Sequence, residues 1–271
     1  MQYSTFAAID IGSYDVILEI FEISKKQGIR SVDKICHRME LGKDTYTLGK
    51  IRPEMEEELC RVLADFVRIM EGYRVDAYRA MASSAISEAA NSLYVLGKIR
   101  QLTGLSVTVL SNSEQRFLGY KALAAMEDNF NKIIEKGTAI LDLDGGSFQI
   151  SLFDKDALVT TQNIRMGSLR IRERLAGIQS ETEHYEEMVE ELIWNEVSSF
   201  KKMYLKDRKI ENIMLIGDVF TDSVYQNIEE KTTKIISREN FNTWYEKIIR
   251  QSPMELAVKP VSYTHLTLPT I

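Results

Sequence analysis

Two short acidic turns are the places in this sequence where backbone and side chain together can do chemistry. The first is Asp10-Ile11-Gly12-Ser13; the second is Asp142-Leu143-Asp144-Gly145-Gly146-Ser147. Each follows an apolar run that delivers an aspartate to the mouth of a turn made of small residues. Glycine has no Cβ and reaches φ > 0 at little cost, so such a turn leaves backbone N–H groups open to phosphate oxygens. A lone turn of this kind can close any hairpin. Here the lead-ins Ala7-Ala8-Ile9-Asp10 and Ala139-Ile140-Leu141-Asp142 nearly repeat each other. The duplication implies two halves of like topology facing one cleft.

The surrounding periodicity supplies elements to hold these turns. Strands are expected over 6–11, 16–23 and 29–41, followed by a loop over 42–49. Pro53 suits a first helical position, and Glu54, Glu56, Glu57 and Glu58 follow near the positive end of the dipole. Met55, Leu59, Val62, Phe66 and Ile69 recur at helical spacing, which predicts an amphipathic helix over 53–72. A strand over 75–81, one helix over 84–102, a strand over 107–110 and a helix over 111–126 complete the first half. The second half repeats the strands at 139–143, 148–153 and 157–165. Gly167-Ser168 opens a short helix, and Ser180 to Glu183 fits a capping box before a long helix to about 205. A strand over 213–217, a helix, a short segment at 234–236 and a helix over 238–251 follow.

The expected fold class is therefore α/β, with a mixed sheet flanked by helices in each of two domains, 1–124 and 125–259. Residues 260–271 are abruptly rich in Thr and Pro and continue no pattern. They resemble read-through from a sequencing adapter, so a non-native tail on an incomplete second domain is expected.

At 271 residues the chain has room for two cores. With 44% hydrophobic and 27% charged residues, its composition is that of a globular protein in water. No apolar run approaches the roughly 20 residues of a membrane span, and no secretion signal is visible, so a cytoplasmic protein without a membrane partner is expected. A formal net charge of −6 argues against a broad DNA-binding surface. Cys36 and Cys60 show no metal spacing and read as reduced core residues. The sequence has no Gly-x-x-x-x-Gly-Lys-Ser/Thr loop, and His37, His184 and His265 lie in unrelated contexts. Glu186, Glu187, Glu190 and Glu191 read as a solvated helix face.

The paired aspartate turns resemble the superfamily of acetate and sugar kinases, chaperone ATPases and actin. Within it, the blocks at 6–13, 38–53, 82–91, 110–119, 142–147 and 166–175 are similar, in order, to those of the exopolyphosphatase and guanosine pentaphosphate phosphohydrolase (Ppx/GppA) family. The resemblance implies two ribonuclease H-like domains with an interdomain cleft, Mg²⁺ as cofactor, and a glutamate that activates water for attack on a terminal phosphoryl group. Glu114 falls at that position; Ser111-x-x-Glu114 also fits a capping box. Asp10 and Asp142 would hold Mg²⁺, or else satisfy the N–H groups of their own turns. Gly12, Ser13, Gly145, Gly146 and Ser147 would donate to phosphate. Gly167 would add a helix N-terminus to the cleft, and Arg170 is either a phosphate ligand or a solvated surface arginine. The implied ligands are polyphosphate or guanosine penta- or tetraphosphate, with a homodimer possible in a full-length protein.

The chain departs from the family pattern in several places. Asp144 replaces a glycine, Phe148 and Gln149 replace a threonine and a glutamate, and Ser87 replaces an arginine. Tyr14 and Asp15 replace a polar pair, and Asp218 to Asp222 replaces a glycine-rich segment. Gln149 supplies no anionic ligand, so weaker Mg²⁺ binding is expected unless Asp144 compensates. Two further readings follow: a regulatory protein that binds these ligands without turnover, and, by analogy of fold alone, an ATP-dependent small-molecule kinase.

Overall fold

The computed structural model describes residues 3–127, 129–177, 184–206, 208–216 and 237–250. The first lobe is built on a five-stranded sheet ordered β3-β2-β1-β4-β5. Its strands are β1 (Ser4–Ile11), β2 (Asp15–Ser24), β3 (Gly28–Arg38), β4 (Ala77–Ala82) and β5 (Val107–Val109). The second lobe has the order β8-β7-β6-β9, formed by β6 (Thr138–Leu143), β7 (Phe148–Asp154), β8 (Ala157–Ile164) and β9 (Asn212–Ile216). In each sheet the first strand pairs antiparallel with the second and parallel with the fourth. The duplicated turns therefore sit on duplicated sheets.

Helix α1 (Leu41–Leu48) occupies the segment expected to be a loop. Its sequence lacks an apolar period; the ends and side-chain anchors make it helical. Glu40 enters at φ 45°, and Gly49 closes it at φ 69° with its N–H on Thr45 O. The buried Asp44 carboxylate accepts from the Arg52 backbone N–H and Nε at 2.9 Å each, and Thr45 Oγ1 donates to Ala85 O at 2.6 Å. Helix α2 (Pro53–Gly72) has Pro53 in its first turn, as its sequence implies. Leu59, Leu63, Phe66 and Met70 point into the first core with Ile9, Ile11 and Leu18.

The single helix expected over 84–102 is two: α3 (Ser84–Ser87) and α4 (Ser92–Thr103). The break lies where the Ala90 N–H donates to Gly49 O at 2.8 Å, outside any helix, and the Asn91 amide holds the same loop, accepting from the Ile51 N–H at 3.0 Å and donating to its C=O at 2.8 Å. Helix α5 (Asn112–Met126) follows, then α6 (Phe130–Ile134). Tyr120 and Leu123 of α5 pack on the second sheet with Phe130, Ile134, Ile140 and Phe153. Helices α7 (Ser168–Leu175), α8 (Tyr185–Tyr204) and α9 (Arg238–Ile249) are the remaining helices of the described residues.

Glu186, Glu187, Glu190 and Glu191 are exposed on α8, as expected. Cys60 is buried, but Cys36 is exposed because β3 is an edge strand, so it is not a core residue. The expected capping box at 180–183, Gly217, the segments at 218–236 and the tail at 260–271 lie outside the described residues.

Candidate active site

The two turns share one hydrogen-bonding plan. Gly12 N–H donates to Asp15 O at 2.9 Å, and Asp144 N–H donates to Ser147 O at 3.0 Å. Asp10 lies opposite Ile17 and Asp142 opposite Gln149, so each aspartate is the last strand residue but one before its turn. The turns also touch. A Cβ on Gly145 would lie 2.8 Å from the Tyr14 ring and 3.2 Å from Ser13 Cβ, while one on Gly146 would strike the Tyr46 hydroxyl and Ser84 Oγ. Close approach of the two lobes is what requires glycine at both positions.

A hydroxyl cluster lies at this junction. Tyr46 OH is 2.7 Å from Ser13 Oγ and 2.8 Å from Ser84 Oγ. Burial pushes the Tyr46 phenol up, so it stays protonated at neutral pH and available as a donor. Arg170, on α7, closes the second side. Its backbone N–H donates to Gly145 O at 3.0 Å and its Nε to Gly146 O at 2.8 Å. Its guanidinium lies 3.9 Å from the centre of the Tyr46 ring. Arg170 is thus a fixed part of the junction, not a solvated surface arginine. Below it, Arg172 spans the lobes to Glu40 with bonds of 2.6 and 3.1 Å.

Gly167 caps α7 from directly against the second turn, where any Cβ would overlap the backbone of Asp144 and Gly145. Gly167→Ala is therefore expected to cost about 1–3 kcal/mol of stability by overpacking. A urea unfolding midpoint equal to that of the parent chain would contradict this contact.

The carboxylates differ in setting. Asp10 is exposed, whereas Asp142 is half-buried. Burial, then the charge of Asp144, pushes the Asp142 carboxyl up to about 6. Asp142, Gln149 and Asn163 are direct cross-strand neighbours on one face of the second sheet. Gln149 Oε1 and Asn163 Oδ1 are both buried without a hydrogen-bond partner. One carboxylate and two unsatisfied amide oxygens in a row match the all-oxygen preference of Mg²⁺, so these residues fit the ion that the sequence resemblance implies. Asp144 turns one oxygen to its own turn, Oδ1 accepting from Gly145 N–H at 2.6 Å. Among the described residues no group of three or more His, Cys, Asp or Glu forms a metal cluster. Phe148 points to the opposite face, into the second core. Restoring the anion with Gln149→Glu is expected to tighten Mg²⁺ binding by about tenfold, on the scale of one charge-assisted ligand. Calorimetric titration giving an unchanged affinity would place position 149 outside the metal site.

Glu114 occupies the capping box. Its carboxylate accepts from Ser111 N–H at 2.9 Å and Ser111 Oγ at 2.7 Å, and the backbone bond first, then the hydroxyl, hold it below the usual carboxylate range. It is exposed, and its hydrogen bonds among the described residues go to Ser111 and not to either turn, but α5 carries it toward them. Tyr120 OH donates to Ser151 Oγ at 2.5 Å, Arg116 to Thr161 Oγ1 at 2.7 Å, and Gly119 lies over Ile216, the register neighbour of Asp142. Leu123 packs farther from the turns, in the cluster of Phe153 and Phe130. The N-terminus of α5 thus rises along the face that bears Asp142.

Gly12, Ser13, Gly145, Gly146, Ser147, Gly167 and Arg170 come together at the junction. Asp142 borders it within the second sheet, Asp10 is the penultimate residue of the matching strand, and Glu114 is held apart by Ser111. Tyr46, Ser84, Glu88 and Asn163 enter the same region without having been singled out by pattern. Tyr46 lies in the segment without period, and Asn163 is placed only by strand register.

Two like-built lobes with matching turns define an actin-like ATPase fold. The sequence profile of the Ppx/GppA phosphatase family matches residues 19–268, and the chain belongs to that family. The profile begins after the first turn, whose assignment rests on the geometry above. A bifunctional 3-dehydroquinate synthase/phosphatase of Fusobacterium nucleatum is 22% identical over 238 residues, 83% of this chain and 34% of that protein. Exopolyphosphatase 1 of Mycobacterium leprae is 26% identical over 144 residues, 53% of this chain and 41% of that protein. The chain thus spans well under two thirds of the length of these relatives. Among solved structures, an exopolyphosphatase from Cytophaga hutchinsonii has a TM-score of 0.74 at 18% identity, covering 92% of this chain and 81% of its own. The Aquifex aeolicus Ppx/GppA family member has a TM-score of 0.68 at 21% identity, covering 91% and 79%. These likenesses establish the fold.

Proposed function

We propose that the protein is a phosphoanhydride hydrolase that releases terminal phosphate from inorganic polyphosphate or guanosine pentaphosphate. The observation that carries this reading is the contact between the two turns, Gly145 against Ser13 and Tyr14. Donors from both lobes there can surround one phosphoryl group. Ser13, Ser147 and the turn N–H groups other than those of Gly12, Asp144 and Gly145, which are bonded within their own turns, bind its oxygens, and Arg170 neutralises their charge. Glu114 orients a water molecule and accepts its proton as the new P–O bond forms and the anhydride P–O bond breaks. Mg²⁺, held by Asp142 with Gln149 and Asn163 and by Asp10 from the other lobe, would spread the negative charge of the phosphoryl oxygens. Among the described residues no helix is long and apolar enough to cross a membrane, which is compatible with the proposed cytoplasmic setting.

A second reading, ligand binding without turnover, is favoured by one observation: the Glu114 carboxylate is already engaged by Ser111. A phosphate-release assay on polyphosphate and guanosine pentaphosphate, with and without Mg²⁺, separates the two. Mg²⁺-dependent release supports the hydrolase. Saturable binding with no release would replace it with the binding protein, and ATP turnover with polyphosphate inert would point to a kinase.

A further inference from the structure

Arg165 and Arg170 converge on a single oxygen. The Nη2 atom of Arg165 lies 2.9 Å from Glu88 Oε2, and the Nη2 atom of Arg170 lies 3.0 Å from the same atom. Glu88 follows α3 in the first lobe, whereas both arginines belong to the second, so the group spans the cleft beside the turns. Two guanidiniums share one carboxylate, which leaves an excess positive charge at the mouth of an anion-binding junction.

The two arginines are held very differently. Arg170 is locked by Gly146 O and the face of Tyr46, so its remaining N–H donors have a fixed direction. The Arg165 side chain is 66% exposed. The Arg165 contact is open to water and contributes little to stability, so a stronger anion takes Arg165 from the carboxylate at small cost, and it competes with Glu88 for the Arg170 contact, whose side chains are 20% and 25% exposed. A phosphate presents the same oxygen geometry to a guanidinium fork with more negative charge.

We propose that Arg165 and Arg170 form a second phosphoryl subsite, which the Glu88 carboxylate fills until the next phosphate of a phosphoanhydride chain displaces it. The proposal rests on the turns holding the terminal phosphate. It makes the site select a linear chain of phosphates over orthophosphate, and it gives Glu88 the role of a stand-in for substrate.

The test is calorimetric titration of the whole chain with orthophosphate and with tripolyphosphate, using the parent protein, Arg165→Ala and Glu88→Gln. Arg165→Ala is expected to weaken tripolyphosphate binding about tenfold, the scale of one charge-assisted contact, and to leave orthophosphate unchanged. Glu88→Gln removes the competing anion and is expected to tighten tripolyphosphate binding several-fold. Tripolyphosphate binding unaffected by Arg165→Ala, or weakened by Glu88→Gln, would overturn the subsite and make the group a strut between lobes. A parent chain that binds neither ligand would overturn the turn site and the subsite together.

Discussion

Glu114→Gln is expected to lower Mg²⁺-dependent phosphate release by about 10²- to 10⁴-fold, the contribution of a positioned general base. The substitution suits this site because glutamine also serves in a capping box. An amide oxygen at position 114 can still accept from the Ser111 N–H, which now lies 2.9 Å from the Glu114 carboxylate. Helix α5 therefore keeps its start, and little stability should be lost. Only the ability to take a proton disappears. Steady-state release and a melting curve on the same sample distinguish the roles. Unchanged turnover would leave Glu114 as a helix cap, and a large drop in melting temperature would show that structure, not chemistry, had been removed.

The second large effect is expected at Asp142. Its carboxyl titrates at about 6 in the folded chain, against an ordinary value of 3.8. The folded state therefore holds this proton more tightly than the unfolded state does. The associated stability is fully present below about 3.8 and is lost as the pH rises through about 6. Above that window the buried charge costs on the order of 2–3 kcal/mol when no cation balances it. Asp142→Asn is accordingly expected to unfold at a higher temperature than the parent at pH 7.5 in chelator, with the gap closing near pH 4. Adding Mg²⁺ should stabilise the parent and leave the variant unmoved, while phosphate release by the variant falls at least about 10²-fold, the scale of losing metal charge stabilisation. A variant no more stable than the parent at pH 7.5 would contradict the burial of this charge.

Much of the frame is legible in the residues. The alternation of Ile9 and Ile11 about Asp10, the proline-led α2 and the repeated lead-in to Asp142 fix strands, helix and duplication, because each rests on local periodicity or capping. What escaped depends on contacts distant in sequence. Helix α1 is set by Asp44 reaching Arg52 and Thr45 reaching Ala85, polar contacts that no apolar period announces. The helix breaks before Asn91 because the Ala90 N–H and the Asn91 amide are drawn to Gly49 and Ile51 of a distant loop. The site shows the same division. Glycines and serines of the turns stand out by type, whereas Tyr46, Glu88 and Asn163 acquire meaning only once two lobes close and strand register is set. Arg170, ambiguous as a residue in a row, is unambiguous when it lies on Tyr46 and bonds to Gly146.

Hydrogen–deuterium exchange with and without tripolyphosphate, in Mg²⁺, asks most directly whether one phosphorylated ligand is gripped from both lobes. The expected result is joint slowing of exchange at Gly12 to Tyr14 and at Asp144 to Ser147, saturating at the same ligand concentration. Slowing at one turn alone, or at neither while the ligand binds elsewhere, would contradict it.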